Sequence, residues 1–422
     1  MNISENTQAI LLLNAPLLYC NKSQGIKPLS LKEYEFISDE LKRCGYQPKD
    51  LLSDGSIKLL EKLKHIVSAQ RLSELLGRGF LLAQCLDYWS SRGIWVISRA
   101  DDAYPQIYKQ RLRNKSPILI YGCGDKNILT QGGVAIVGSR DIGENVVAYT
   151  VSQINNLVKL SQNIISGGAR GVDRVSMLSC LDSGGYSCGV LADSLAKSVL
   201  NAEYRKYIAT GKLVLISAVD PDAGFNVGNA MARNKYIYAL AHAGLVVNSD
   251  FAKGGTWAGA IEVLKEQPQF PLFVRENDLT NKAFMELCKL GAHLWATPKT
   301  KNDLNFLLNR QKHIVAGTKK AQDLFNSDEK KIINRARHNE LKDNNIDVLA
   351  YQYFNELILN YLDEPKSKKD LQQTFSFISK NIFNQWVDSM LKEHMIEMIK
   401  IKRSMVFCKV KNTQNLFSSG LI

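Results

Sequence analysis

The 422-residue chain lacks most of the short motifs that mark common enzyme sites. Its eight cysteines are scattered, with no CxxC pair and no cysteine–histidine cluster at zinc spacing, which argues against a metal site and favours free thiols in a reducing compartment. No HExxH, no Walker A motif and no GxGxxG after the first predicted parallel strand are found, so we expect no metal, no ATP hydrolysis and no dinucleotide cofactor.

Long apolar runs are also missing. No stretch approaches the roughly 18–20 apolar residues that a membrane span requires, and the N-terminus shows no basic-then-apolar signal, so the sequence predicts a soluble cytoplasmic protein without membrane contact. Charge of one sign, in contrast, is in excess. Lys and Arg number 54 against 41 Asp and Glu, and this net charge of +13 favours a polyanionic partner, nucleic acid first.

The pattern along the chain predicts four segments. We expect a helical domain at residues 1–95, a Rossmann-like α/β domain at 96–310, a charged linker at 311–349 and a small winged-helix-like domain at 350–422. In the last segment, two predicted helices, Tyr353–Tyr361 and Phe383–Glu393, precede a predicted hairpin of Met395–Ile401 and Ser404–Lys409 around a basic tip. Modules of this kind bind duplex DNA or protein, so the fold alone does not choose between them.

Three glycine-rich turns carry most of the information, and each follows an apolar run: the first ends in Gly138–Arg140, the second is Ser166–Gly171 and the third is Lys253–Thr256. Small residues let backbone N–H groups approach a ligand, and the N-terminus of a following helix favours phosphate. Alternating strands and helices predict an extended, doubly wound, mainly parallel sheet with all three turns at the carboxyl ends of its strands. The predicted strands are Val134–Val137, Ile164–Ser166, Tyr186–Leu191, Leu213–Ser217, Leu245–Asn248 and Pro271–Val274.

Four segments form a recognisable pattern: Tyr104-Pro105 with the later Pro117 and Leu119–Gly122, then Ala135–Arg140, Ile165–Asp173 and Ala232–Ile237. Through them the chain resembles, over roughly residues 100–300, the DNA-processing protein A family (DprA, also called Smf). Two departures stand out: Arg174–Met177 stands where the family usually has Ala-His soon after the second turn, and Lys235 replaces an arginine.

This resemblance implies a homodimeric, non-enzymatic protein that binds single-stranded DNA, protects it and hands it to a RecA-type recombinase, in transformation, recombination or a mobile-element context. Trp257 and Tyr236 are candidate base-stacking platforms, with packing under the sheet as the equal alternative. The predicted DNA- and phosphate-binding residues are Gly138, Ser139, Arg140, Ser166, Gly167, Gly168, Arg170, Arg233, Asn234, Lys235, Lys253, Gly254, Gly255 and Thr256.

The third turn keeps a second function open. Gly254–Glu262 lies between the DprA pattern and that of the LOG-type nucleotide-processing proteins, which cleave the N-glycosidic bond of nucleoside monophosphates. Glu262 is the candidate catalytic residue, with helix stabilisation as the alternative, so a nucleotide-hydrolysing enzyme or a nucleotide sensor competes with DNA binding. In the second turn, we expect Asp173 to pair with Arg170 and hold the loop.

Overall fold

A computed structural model describes residues 3–20, 25–53, 55–276 and 281–308, and then 355, 358–359, 362, 364–374, 380–401 and 404–410. The chain divides into two compact units, residues 1–323 and 324–422. The predicted charged linker and most of the predicted Tyr353–Tyr361 helix lie outside the described residues, and the predicted domain boundaries stay predictions. No helix in the described ranges is long and apolar enough to cross a membrane.

The first unit is built on a nine-stranded sheet with the order β1-β2-β6-β5-β4-β3-β7-β8-β9. The seven strands from β6 to β9 in that order run parallel, and β2 and β1 continue the sheet antiparallel beyond β6. The strands are β1 (Trp95–Ser98), β2 (Leu119–Cys123), β3 (Val134–Val137), β4 (Ile164–Ser166), β5 (Ser187–Leu191), β6 (Leu213–Ser217), β7 (Ala243–Val246), β8 (Leu272–Arg275) and β9 (His293–Trp295).

The order of the strands contains one reversal that positions the site. From β3 the chain builds outward through β4 and β5 to β6, and it then returns to place β7 on the opposite side of β3. Ligands of open parallel sheets bind at such a switch point, outside the carboxyl ends of the two strands. The predicted doubly wound, mainly parallel, Rossmann-like sheet is confirmed, and its switch point lies between β3 and β7.

Helices cover both faces of this sheet. The helices are α1 (Glu5–Asn14), α2 (Leu31–Arg43), α3 (Ser56–Leu63), α4 (Ala69–Leu76), α5 (Gly79–Ser91), α6 (Gln106–Leu112), α7 (Ile128–Gln131), α8 (Glu144–Lys159), α9 (Val172–Asp182), α10 (Leu195–Ser198), α11 (Ala202–Ala209), α12 (Val227–Leu240), α13 (Gly254–Glu266) and α14 (Lys282–Lys289), with 3-10 turns at Pro48–Leu52 and Arg113–Lys115 and a further helical stretch over residues 301–308.

Alternate residues of a strand pack into different cores. Val134 and Ile136 of β3 pack on one face of the sheet with α8 and α9, whereas Ala135 and Val137 pack on the other face with α12 and α13.

The N-terminal helices α1–α5 share a hydrophobic core with the sheet. Trp89 of α5 is fully buried and meets the ring of Tyr121 on β2 edge-on, with 5.2 Å between the ring centroids. Leu213 and Leu215 of β6 belong to the same core. The segment predicted as a separate helical domain therefore packs directly on the α/β sheet.

The second unit contains β10 (Lys366–Ser367), α15 (Lys368–Thr374), α16 (Lys380–Lys392), β11 (Ile396–Ile401) and β12 (Ser404–Lys409). Strands β11 and β12 form an antiparallel hairpin from Ile396 opposite Lys409 to Ile401 opposite Ser404, and β10 pairs with β12. The predicted second helix and hairpin are confirmed. The basic tip of the hairpin lies outside the described residues, and the winged-helix assignment stays a prediction.

Candidate functional site

A cavity of about 460 Å³ opens at the switch point, beyond the ends of β3 and β7. The turn after β3, the turn after β7 and the start of α12 enclose it. Three carboxylates also line it, Asp141, Asp173 and Asp250, but no Glu, His or Cys among the described residues does. The predicted site residues that line the cavity are Gly138, Ser139, Arg140, Arg233, Asn234, Lys253, Gly254, Gly255 and Thr256.

The first turn is held in place from both sides. The backbone N–H of Ser139 donates to the carbonyl of Asn248, 3.1 Å away, and the hydroxyl of Thr256 donates to the carbonyl of Gly138 at 3.0 Å. From the second turn, the backbone N–H of Val172 donates to the carbonyl of Ser139 at 3.2 Å. These bonds fix the backbone beneath Arg140, whose side chain is exposed at the cavity.

The second turn is closed by other parts of the protein. The buried hydroxyl of Ser166 donates to the carbonyl of Ile136 at 2.6 Å. A Cβ atom on Gly167 would lie 1.1 Å from Nη1 of Arg233, so the arginine side chain fills the space that the glycine leaves. The N–H of Val172, at the start of α9, is taken up by its bond to the first turn and is not available to a ligand.

Arg233 and Asp173 form a buried ion pair beneath the cavity. Nη1 of Arg233 lies 3.6 Å from Oδ2 of Asp173, and the two side chains are 9% and 8% exposed. Burial raises the pKa of Asp173, and the charge of Arg233 together with backbone N–H donors from Ala169 and Gly167 opposes that rise. Arg233 also donates to the carbonyl of Val190 at 3.2 Å. Its guanidinium is therefore a structural cation and adds little charge to the accessible surface.

The expected pairing of Asp173 with Arg170 is wrong. Arg170 instead pairs with Asp141 on the surface, where the side chains are 72% and 87% exposed. The sequence placed Asp173 next to the correct turn but could not show that a helix 60 residues later supplies its partner. The ion pair with Asp141 also offsets the charge of Arg170.

The third turn is open to the cavity. Lys253 is the N-cap of α13, and no side chain in the described part of the protein caps this helix end. Lys253 and Gly254 are exposed, and Gly254–Thr256 line the cavity, so the unpaired N–H groups of the first helical turn lie at its wall. Arg140 and Lys253 thus lie beside the partial positive charge of a helix N-terminus, which is an arrangement suited to a phosphate group.

Six predicted functional residues do not line the cavity. They are Ser166, Gly167, Gly168, Arg170 and Lys235 of the predicted binding set, and the candidate catalytic residue Glu262. Lys235 lies over the ring of Tyr236, with 5.3 Å from Nζ to the centroid. Glu262 is half-buried on α13. Burial raises the pKa of Tyr236 to about 12, and the charge of Glu262 contributes to that rise while the charge of Arg99 opposes it. Glu262 therefore does not face the cavity as a catalytic group.

The two candidate stacking residues lie away from the cavity wall. Tyr236 is half-buried and packs edge-on against Tyr108, with ring centroids 5.8 Å apart. Trp257 is half-buried and packs edge-on against Phe251 at 5.1 Å. Two other aromatic residues line the cavity, the buried Tyr238 and the exposed Phe225, and the sequence did not predict either. The signal for Phe225 in the sequence was its place in a polar loop after a buried strand, the edge where all three turns were expected.

Residues 95–303 match the family model described as DNA recombination-mediator protein A. A curated relative, the DNA processing protein DprA of Streptococcus pneumoniae, is 28% identical over 164 residues, which cover 37% of this chain and 55% of that protein. Residues 95–303, about half of the chain, therefore form a domain of the DNA-processing protein A family. The chain's match spans about half the length of this DprA relative.

The likeness extends to solved structures. The crystal structure of DprA from Streptococcus pneumoniae superposes with a TM-score of 0.53 at 19% identity, covering 72% of this chain and 98% of that one. A structure of the Helicobacter pylori family member, described as showing its single-stranded DNA binding mode, gives a TM-score of 0.41 at 23% identity over 52% of this chain and 96% of that one. The first of these supports the DprA fold for the α/β sheet and its helices.

Proposed function

We propose that this DprA family member binds single-stranded DNA, with the phosphates of the strand at the switch-point cavity. The observation that carries the proposal is the placement of exposed Arg140 and Lys253 beside the uncapped start of α13 in one cavity. Such a site binds phosphate independently of the base sequence, because cations and backbone N–H groups contact only the sugar-phosphate backbone of the strand. The family's description as a DNA recombination mediator supports the same ligand.

The finer role follows the family resemblance. We propose that the protein works in the cytoplasm as a homodimer, protects bound strands and transfers them to a RecA-type recombinase without catalysing a reaction. The non-catalytic part is supported by the carboxylates of the cavity, because hydrolysis requires a positioned general acid or base and two of the three carboxylates are paired with arginines. Asp173 is buried against Arg233, and Asp141 pairs with Arg170.

The proposal is tested by fluorescence anisotropy with labelled oligo-dT at low and high salt. In the double variant Arg140→Ala/Lys253→Ala, we expect affinity at low salt to fall at least about 10-fold and the salt slope to fall by about 1.4, because each lost phosphate contact on a single strand removes about 0.7 of a released counterion. Arg174→Ala is the matched control, since this exposed arginine pairs with Glu203 and does not line the cavity. Unchanged affinity in the double variant would exclude this cavity as the DNA site.

A nucleotide ligand remains the competing function because the cavity has a suitable size. Its volume of about 460 Å³ falls within the range of roughly 300–1,000 Å³ common for small-molecule sites. Thermal unfolding with free mononucleotides separates the two ideas. A melting temperature raised by mononucleotides, combined with no oligonucleotide binding at low salt, would favour the nucleotide sensor over the DNA-binding protein.

A further inference from the structure

Two cysteines that are far apart in the sequence meet in the N-terminal part of the fold. Cys20 ends the turn that follows α1, and Cys85 lies in the middle of α5. Cys85 is fully buried, whereas Cys20 is half-buried and packs against the core to which Cys85 belongs. The side chains of the two residues are in hydrogen-bond contact. Both carry free thiols, so the protein holds a reduced pair of cysteines in contact.

The neighbours of the two cysteines hold them together. The ring of Tyr19 stacks on the ring of Tyr88, with 3.5 Å between the centroids and 13° between the planes. Tyr88 lies three residues after Cys85, on the same face of α5, and Tyr19 directly precedes Cys20. The backbone N–H of Cys20 also donates to the carbonyl of Leu17 at 3.2 Å, which closes the turn. The aromatic stack therefore places the turn against the face of α5 that carries the second cysteine.

This contact is connected to a loop at the candidate site. The hydroxyl of Tyr88 donates to the carboxylate of Asp222 at 3.0 Å, and the backbone N–H of Leu18 donates to that of Asp220 at 3.2 Å. The loop that contains these two carboxylates continues to Phe225, which lines the cavity. The turn after α1 and helix α5 therefore hold the loop together, one bond from each.

We propose that Cys20 and Cys85 are a reversible disulfide site, a latch that joins the turn after α1 to α5 and fixes the loop before Phe225 when the surrounding thiols become oxidised. The oxidant is a low-molecular-weight disulfide. The Cys20 thiolate attacks one of its sulfurs, which releases one thiolate and leaves a mixed disulfide on Cys20, and Cys85 then attacks the Cys20 sulfur and releases the second thiolate. The protein thiols lose two electrons, their two protons pass to the released thiolates, and the oxidant is reduced to two thiols. This inference does not depend on which ligand the cavity binds.

The surroundings give the two thiols different roles. The partly exposed Cys20 is accessible to the oxidant, whereas Cys85 is buried. Burial raises the pKa of the Cys85 thiol, and the contact with Cys20 and the charge of Asp220 raise it further. The neighbouring Tyr121 is kept protonated by its own burial, and the cation of Arg78 opposes the rise. Cys85 is therefore the second cysteine to react, and we expect the disulfide to form more slowly at pH 7 than at pH 9.

The first test follows the disulfide itself. The full chain is equilibrated in buffers with increasing proportions of oxidised glutathione, alkylated, digested and analysed by mass spectrometry. We expect a Cys20–Cys85 linked peptide in oxidised buffer that disappears when reduced glutathione is restored, and Cys20→Ser should abolish it. Cys44→Ser is the matched control, because this half-buried cysteine contacts Glu40 instead and its loss should leave the linkage unchanged. Absence of the linked peptide from the wild type in oxidised glutathione at pH 9 would overturn the disulfide site.

The second test follows the loop, by hydrogen exchange of residues 218–226 in the reduced and the oxidised protein. We expect the disulfide to slow exchange by about 3-fold or more, because a cross-linked anchor opens less often. Tyr88→Phe keeps the aromatic stack and the disulfide but lacks the hydroxyl that bonds Asp222, so it should lose about half of this slowing or more. Equal or faster exchange in the oxidised wild type, or full slowing in Tyr88→Phe, would overturn the connection between the latch and the loop.

Discussion

The second and third glycine turns of this protein have similar sequences and opposite environments. Each follows a parallel strand, contains two consecutive glycines and precedes a helix that no side chain in the described residues caps. At the second turn, an arginine fills the space above Gly167, and the start of α9 bonds to the first turn. At the third, Lys253 and Gly254 are exposed and the start of α13 lines the cavity.

Neighbouring residues of α12 produce this difference. Arg233 extends into the second turn and pairs with Asp173, whereas Asn234 donates its side-chain N–H to the carbonyl of Gly255 at 2.9 Å and braces the third turn from beside the cavity. A glycine-rich turn after a strand is therefore an anion site only if no protein group occupies it. In this fold, the second turn packs beneath the candidate site and the third lines it.

The largest expected effect is a loss of stability when one methyl group is added to the second turn. Gly167→Ala would place a Cβ atom on the Arg233 guanidinium and separate the buried ion pair. We expect a loss of about 3 kcal/mol or more in the free energy of unfolding, because breaking a buried pair leaves an uncompensated charge. Urea unfolding followed by circular dichroism measures it.

Gly255→Ala is the matched variant in the third turn. A Cβ atom there would lie 3.4 Å from the nearest heavy atom, Nδ2 of Asn234, which is ordinary contact. We expect the free energy of unfolding to stay within about 1 kcal/mol of the wild type, since alanine also favours the helix. Equal destabilisation by Gly167→Ala and Gly255→Ala would remove the distinction between a closed turn and an open one.

A comparable effect distinguishes the two ion pairs of the second turn. Asp173→Asn leaves Arg233 buried without a charged partner, and we expect the free energy of unfolding to fall by about 3 kcal/mol. Asp141→Asn breaks the exposed pair with Arg170 and is expected to cost at most about 1 kcal/mol. If Asp141→Asn proved the more damaging change in thermal unfolding, Arg170 rather than Arg233 would be the cation that holds the turn.

The sequence predicted the sheet and its edge well, because buried parallel strands are short, β-branched and followed by turn residues. Strands Val134–Val137, Ile164–Ser166 and Leu213–Ser217 have the predicted bounds. The third turn's strand was placed two residues late, as Leu245–Asn248 instead of Ala243–Val246. The apolar run continues past the last paired residue, so composition alone does not show where the pairing ends.

The sequence could not predict which side chains pair with one another or which are exposed. Arg233 and Arg140 are both arginines next to small residues, yet one is buried and the other exposed. Which of them faces a ligand depends on the packing of α12 against β5 and the second turn, a contact between segments about 40–60 residues apart. Phe225 was missed for a related reason, since its exposure depends on the neighbours of its loop.

The smallest expected effect on stability comes from an ion pair that lies far from the glycine turns. Glu33 of α2 accepts hydrogen bonds from Arg71 at 2.6 Å and from the backbone N–H of Ser30 at 2.7 Å, and these bonds lower its pKa from 4.5 to about 2. Because the pKa is lower in the folded state, the stabilisation is present above about pH 4.5 and is lost as the pH falls toward 2.

Glu33→Gln should therefore lower stability at pH 7, by at most about 1 kcal/mol for this partly exposed pair, and the difference from the wild type should shrink on acidification. The changes in the free energy of unfolding caused by distant residues are additive. The destabilisation by Glu33→Gln should therefore add to that of Gly167→Ala or Gly255→Ala to within about 0.5 kcal/mol. Urea unfolding of the double variants at pH 7 and pH 3 measures both points. A non-additive result with Gly167→Ala alone would mean that opening the second turn also loosens the N-terminal helices, which share a core with the sheet.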